Sequence, residues 1–369
     1  MPSIVWLAPS RTSDQRGTRR GARQHPPHHD WPRTRADKEN TMRAWKIHQF
    51  GPPAEVLTLD NHAAAFEPGP GQVKVQVEAA GLGLPDVFMC ANNYPLTPPL
   101  PFTPSQEAAG KVVAVGEGVD SALLGTRVLG PTLFQAQRGG LADECLMHAL
   151  AAFPIPDEMP GEEAAGFFIP YLTAWVALVR RARIEPEDTV LVLGASGSSG
   201  CAAVQLAKAR GARVIAVAGG PQKGEFCMSI GSDAVIDHRS QDITERTKEL
   251  TNGEGASVIY DPVGGKAGRA AFKATAFEGR FVVIGYASGE WSRIELPEIL
   301  PRNISLVGAM PVGFSPELMR EAHQDLIGHW QNREIKASNV QVFAFEDALK
   351  AIEHIAAGKV EGKVVVRVS

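Results

Sequence analysis

Leu191-Val-Leu-Gly194-Ala-Ser-Gly197-Ser-Ser-Gly200-Cys-Ala-Ala-Val-Gln-Leu-Ala207 joins a short apolar run to a segment of helical composition through a turn with three glycines. The run Thr189 to Leu193 has the length and continuity of a buried strand, and Gly200 to Arg210 reads as a helix. A glycine-rich turn between two such elements brings backbone amides close to a pyrophosphate, and the helix N-terminus adds positive potential there. Gly197 permits the close approach, and Gly200 lets the helix pack on the strand. Ala195 stands where the common G-x-G-x-x-G pattern has its first glycine. Glycines alone also suit an ordinary tight turn; the strand before and the helix after favour a dinucleotide site.

The next apolar run, Arg213 to Ala218, ends in Ala218-Gly219-Gly220-Pro221-Gln222-Lys223. Sites that prefer NAD place an acid about 20 residues past the turn, where it accepts hydrogen bonds from the ribose 2′-hydroxyl. No carboxylate occurs in this stretch, and Lys223 is available to pair with a 2′-phosphate. The residues therefore predict NADPH, with a solvated surface lysine as the alternative reading of Lys223.

Further runs follow at Ala234 to Asp237, Ser257 to Tyr260 and Arg280 to Ile284, each after a helix-like or turn segment. Alternating strands and helices with continuous apolar strands predict a doubly wound parallel sheet covered on both faces. Before about Gly166 the rhythm differs: short strands punctuated by glycine and proline, with Val73, Val75 and Val77 alternating with polar neighbours. Strands are predicted at Lys111 to Val115, Thr126 to Leu129 and Leu141 to Met147. Near the C-terminus, Glu317 to Gln331 and Phe345 to Ala357 read as amphipathic helices, and Gly362 to Val368 as a closing strand.

Composition agrees with two domains in an α/β protein. At 369 residues and 44% hydrophobic content, there is material for two cores. A formal charge of −4 gives no electrostatic reason to propose nucleic acid or an anionic membrane as partner, and no apolar run is long enough to span a bilayer. Cys90, Cys145, Cys201 and Cys227 are widely spaced, which fits a reducing compartment such as the cytoplasm. Residues 1–41 stand apart. From Arg11 to Glu39 there are eight basic and four acidic side chains, with prolines and the His25-Pro-Pro-His28-His29 cluster among them and no apolar periodicity. Such a segment is predicted to be disordered, its histidines inert rather than metal-binding. It matches a transit peptide only in part. Alternatively, residues 1–41 lie outside the functional chain.

Taken in order, Met42-Arg-Ala-Trp, Phe50-Gly-Pro, Pro70-Gly-Gln-Val-Lys-Val, Ala80-Gly-Leu-Gly-Leu-Pro-Asp86, Pro104-Ser-Gln-Glu107-Ala-Ala-Gly110, Gly139-Gly-Leu-Ala, Thr173-Ala, the glycine turn, Asp261-Pro-Val-Gly-Gly265 and Gly362-Lys-Val-Val resemble the zinc-independent quinone oxidoreductase (zeta-crystallin-like) and enoyl reductase branch of the medium-chain dehydrogenase/reductase superfamily. The resemblance covers residues 42 to 369. It implies a GroES-like, β-rich catalytic domain from residues 42–166 and 311–369, a Rossmann domain from residues 167–310, and a cofactor cleft between them. A homodimer through the Rossmann domains, with Ile304 to Pro311 at the edge, is implied by the same resemblance.

The site residues it implies are these. Ala195, Ser196, Gly197, Ser198, Ser199 and Gly200 would hold the pyrophosphate; Gly219, Lys223, His238 and Lys359 would surround the 2′-phosphate; Thr173, Ile284, Gly285 and Tyr286 would lie beside the nicotinamide, and Val263 would also contact the cofactor. Positions matching the catalytic zinc ligands of metal-dependent relatives hold Gly83, Gln106 and Ile169, which offer neither thiolate nor imidazole. No metal is expected. Tyr94 matches a proton-donating tyrosine of related enoyl reductases, with a shape-only role as the alternative. Asp86 is expected to cap or brace a short helix, and Phe88, Leu133, Phe134 and Phe167 are candidates for the pocket wall. Gly83 and Phe88 depart from the Asn and Tyr that some relatives carry, and His238 replaces a usual tyrosine. The resemblance implies an NADPH-dependent reductase acting on a small-molecule quinone, enone or enoyl acceptor; the alternative is an NADPH-binding sensor or structural protein with little turnover.

Overall fold

A computed structural model describes residues 41–337 and 339–369. The expectations for residues 1–40 lie outside the described residues; Thr41, read as the end of that segment, already belongs to the first strand. Two sheets organise the chain. The first is built from β3 (Gln72–Leu82), β4 (Glu107–Val115), β5 (Arg127–Pro131), β6 (Glu144–His148), β7 (Phe153–Pro154), β14 (Val340–Ala344) and β15 (Lys363–Arg367), with a hairpin of β1 (Thr41–Ile47) and β2 (Leu57–Ala64) beside it. Along one edge β3 pairs with β4; its other edge is shared by β6 over Gln72 to Gln76 and by β15 over Ala79 to Leu82. β14 and β15, from near the C-terminus, thus complete the sheet begun by β3 to β7.

The second sheet is parallel throughout, in the order β10-β9-β8-β11-β12-β13: β8 (Thr189–Leu193), β9 (Arg213–Ala218), β10 (Ala234–Asp237), β11 (Ala256–Asp261), β12 (Thr275–Val283) and β13 (Ser305–Gly308). Successive side chains on a strand face opposite ways, and here both directions are buried. Val190, Val192, Val214 and Tyr260 join one core, and Leu191, Leu193, Ile215 and Ile259 join another. That is why these strands read as unbroken apolar runs. Among the helices are α1 (Leu84–Cys90), α2 (Phe168–Ala174, continuing as a wider π-helical coil over Trp175–Ala182), α3 (Ser198–Ala209), α4 (Pro221–Ser229), α5 (Ile243–Leu250), α6 (Gly265–Lys273), α7 (Pro316–Gln331) and α8 (Ala348–Ala356). No helix among the described residues is long and apolar enough to cross a membrane.

Phe134 and Phe167 belong to the packed core rather than to a pocket wall. Phe167 is 1% exposed and stacks on Tyr171 with ring centroids 4.4 Å apart, while Phe134 sits in the core of the catalytic sheet.

Candidate active site

The strand orders reverse on either side of β8 and β11, so the loops at their carboxyl ends diverge and leave a crevice. The glycine turn lies there. Gly194 has a positive φ of 59°, and a Cβ on Gly200 would lie 2.3 Å from the Gly194 carbonyl oxygen, so only glycine lets α3 start this close to the strand. The first intrahelical bond runs from Cys201 N to Gly197 O at 2.8 Å. The amides of Ser198, Ser199 and Gly200 therefore lie in the first turn, where helix amides lack intrahelical acceptors, and no carboxylate occupies that turn. This cradle fits a pyrophosphate. The Ser199 hydroxyl does not add to it: it is bonded to the buried Tyr260 hydroxyl at 2.5 Å, and so points inward.

Across the crevice, the C-terminal strand closes on the turn. Gly362 N donates to Ser196 O at 2.8 Å, and Lys223 Nζ to Gly358 O at 2.9 Å. Lys223 is thus held by the loop that carries Lys359 and is not a free cation. The groups nearest the end of β9 are others. A Cβ on Gly219 would lie 2.8 Å from His238 Nε2 and 2.9 Å from Arg239 Nε, and one on Gly220 would lie 3.3 Å from Arg239 Nη1. Arg239 rests on this turn. The expectation that no carboxylate reaches the turn needs correction, because Asp237 arrives from β10 and accepts from Gly220 N at 2.9 Å and Arg239 N at 3.0 Å.

The turns expected beside the nicotinamide are tied together by backbone hydrogen bonds. Asp261 Oδ1 accepts from Val263 N and Gly264 N, and Asp261 O from Ile284 N and Gly285 N, which draws the turns after β11 and β12 together. Val263 lies over Gly194, since a Cβ there would meet Val263 Cγ2 at 3.1 Å. Thr173 Oγ1 is turned back to Ile169 O at 2.7 Å.

On the catalytic side, α1 is braced by Asp86. Its carboxylate is buried and accepts from Gly83 N at 2.9 Å and Ser105 N at 2.8 Å. Burial pushes its carboxyl up to about 6, against the pull of those two amides and of Lys363, while Glu107 pushes the same way as burial. Because the folded value exceeds the unfolded one, this group's stabilising contribution is complete below about pH 4 and is lost as pH rises through about 6. Between about pH 7 and about pH 5, wild type is expected to gain about 1 kcal/mol in unfolding free energy relative to Asp86→Asn. Parallel curves for the two proteins in denaturant titrations would contradict this.

Beneath α1, Lys363 Nζ meets Glu107 Oε1 at 2.5 Å with both side chains buried, and Glu107 Oε2 accepts from Ile169 N at 2.7 Å. Tyr94 lies nearby. Burial raises its phenol above the usual value, the Gln106 amide pulls it back, and Asp86 and Tyr286 raise it further. Gln106 Nε2 is buried and makes no hydrogen bond of good geometry among the described residues. A buried donor without an acceptor costs about 1–3 kcal/mol, so its place beside a phenol at the cleft is notable chemically. Gln106 entered the sequence argument only as a residue unable to bind zinc. Arg239 and the reach of Asp237 carried no local motif at all.

Residues 69–181 match the family described as "Alcohol dehydrogenase GroES-like domain", and residues 200–326 the one described as "Zinc-binding dehydrogenase". The chain is 34% identical over 341 residues to the quinone oxidoreductase-like protein 2 homolog of Nematostella vectensis, covering 91% of this chain and 90% of that relative. Among solved structures, quinone oxidoreductase of Escherichia coli in complex with NADPH is similar with a TM-score of 0.80 at 28% identity, over 88% of this chain and 100% of that one. The CurK enoyl reductase is similar with a TM-score of 0.79 at 27% identity, over 89% of this chain and 99% of that one.

Proposed function

Because this chain is an NAD(P)H-dependent oxidoreductase of the medium-chain dehydrogenase/reductase superfamily, in its quinone oxidoreductase and enoyl reductase branch, we propose that it is a metal-independent, NADPH-dependent reductase of quinones or α,β-unsaturated carbonyl compounds. The observation that carries this reading is a pair of half-sites on the two domains: a glycine cradle at the carboxyl end of β8, and the Asn93–Tyr94 segment of the facing domain, whose Asn93 carbonyl oxygen Tyr286 Oη reaches at 3.4 Å. The nicotinamide supplies the hydride when bound. The chain's own residues hold the pyrophosphate at Ser198 to Gly200, position the acceptor against the turns after β11 and β12, and exclude water. Tyr94 Oη is the proton source, and the Gln106 amide steadies the oxygen that has given its proton up.

The metal-free part rests on donor chemistry. Gly83 has no side chain, Ile169 is apolar, and Gln106 offers only an amide; among the described residues no three His, Cys, Asp or Glu side chains are grouped to hold a metal ion. The choice of NADPH rests on Arg239 and His238 at the β9 turn, with Lys359 on the loop that Lys223 holds. Asp237 opposes it, but its carboxylate is engaged by two backbone amides.

Arg239→Leu is expected to raise the KM for NADPH about tenfold, the loss of one charge-assisted contact, and to leave that for NADH nearly unchanged. Equal losses for both cofactors would remove Arg239 from the phosphate site. The acceptor is tested by NADPH consumption against quinones, enals and enoyl thioesters. NADPH binding with no turnover on any of them would overturn the enzymatic reading in favour of a sensor.

The partner reading is a homodimer. β13 is the outer strand of its sheet, and Leu306, Met310 and Val312 on and after it are exposed, together with Leu296 and Leu300 before it. All four cysteines are buried and unpaired, which suits a reducing compartment such as the cytoplasm.

A further inference from the structure

Three aromatic rings meet where α1 faces the loop after β12, and no role assigned so far uses them together. Phe88 on α1 faces Tyr286 from the Rossmann loop after β12; their rings are nearly parallel, 12° apart in plane, with centroids separated by 6.1 Å. Trp291 backs Tyr286 at 4.5 Å. The indole is 55% exposed, an unusual position for so large an apolar surface.

Each jaw is anchored separately. The loop that carries Tyr286 and Trp291 is pinned by Ala287 N to Pro262 O at 3.1 Å, Ser288 N to Val263 O at 2.9 Å, and Ser292 Oγ to Asp261 Oδ2 at 3.0 Å. The helix that carries Phe88 is fixed through Asp86 to Ser105. Between the jaws, the polar contact from Tyr286 Oη to Asn93 O is long, at 3.4 Å, and therefore weak. The rings are held firmly on their own domains and loosely to each other.

We propose that Phe88, Tyr286 and Trp291 form a stacking site for acceptors whose enone or quinone is conjugated with an aryl or fused ring, and that this ring sets the enzyme's preference among acceptors. The proposal rests on the reductase reading above and names its substrate class. A flat ring offers its face to aromatic neighbours on more than one side, whereas an alkyl group offers no comparable surface. The carbonyl then points inward toward Tyr94, the neighbour in the chain of Asn93, whose carbonyl oxygen Tyr286 Oη reaches.

Two matched ketones test this: benzylideneacetone and ethylideneacetone share the same enone and carry phenyl or methyl on its β-carbon. In cofactor-free protein labelled with fluorotryptophan, the Trp291 fluorine signal, assigned by its loss in Trp291→Phe, is expected to shift saturably with benzylideneacetone. With ethylideneacetone at equal concentration it should stay in place. In the NADPH-loaded enzyme, Trp291→Leu is expected to lower the ratio of kcat/KM for the aryl over the alkyl ketone about threefold to tenfold, the range of one aromatic contact. Taking the ratio cancels the different reactivities of the ketones.

A shifted Trp291 signal without turnover of either ketone would leave the stacking site standing and sink its use in enone reduction. Turnover of both, with an unmoved signal and an unchanged ratio, would overturn the stacking site alone. A Trp291 signal that depends on protein concentration and not on ketone would mean that a second copy of the chain covers the indole, which also overturns the proposal.

Discussion

Replacing Tyr94 by phenylalanine is expected to slow enone reduction about 100-fold in kcat, the lower end of what a positioned general acid contributes. Hydride arriving at the β-carbon leaves a strongly basic enolate, and its α-carbon must gain a proton. In the proposed mechanism the Tyr94 hydroxyl, largely buried near Asp86, Gln106 and Tyr286, supplies it. A quinone behaves differently. Its reduction leaves an aromatic hydroquinone anion, a far weaker base that leaves the site without needing a proton first. The quinone rate should therefore fall less than about fivefold on the same barrier arithmetic. Gln106→Leu should slow the enone reaction in the same direction but by less, because it removes the amide that steadies the phenolate and keeps the acid itself. Equal losses for both acceptor types in Tyr94→Phe would assign the tyrosine to pocket shape alone.

The second large effect is on stability. Lys363→Met is expected to cost about 3–5 kcal/mol, because it strands the Glu107 carboxylate in a buried place with Ile169 N as its remaining donor. The first thermal transition should fall by roughly 10 °C. The pair joins β4, β15 and the start of α2, three elements far apart in the chain, so the loss is not confined to one of them. Adding Glu107→Gln to Lys363→Met removes the stranded charge and should recover most of the stability. A single variant as stable as wild type would show that the pair's attraction only balances its desolvation.

What could be read in the sequence was what is local. β8, β9 and β10 match their apolar runs from end to end because both faces of a covered parallel sheet are apolar. β12 begins at Thr275 rather than Arg280, since its first residues carry Glu278 at a positive φ of 56° and break the apolar run. β6 begins at Glu144, three residues after the predicted start, because Leu141 is buried in an irregular segment. α4 went unread because Pro221, Gly224 and polar residues hide its periodicity.

At the site the same division holds. The glycine turn is a contiguous motif and was legible. The inward turn of the Ser199 hydroxyl was not, because its cause, Tyr260, stands 61 residues later. Arg239 and Asp237 come to the β9 turn from the neighbouring strand, where a rule based on distance along the chain does not look. The Phe88–Tyr286–Trp291 rings join α1 to a loop of the other domain, and only the folded arrangement places them together.

The most direct test of a metal-free, NADPH-dependent reductase is the rate of NADPH oxidation with its best quinone or enone by protein stripped of zinc with a chelator. The account predicts full turnover after stripping, no gain when zinc is restored, and a lower rate with NADH. Activity that disappears with the metal and returns with it would contradict the reading of Gly83, Gln106 and Ile169, and with it the role given to Tyr94.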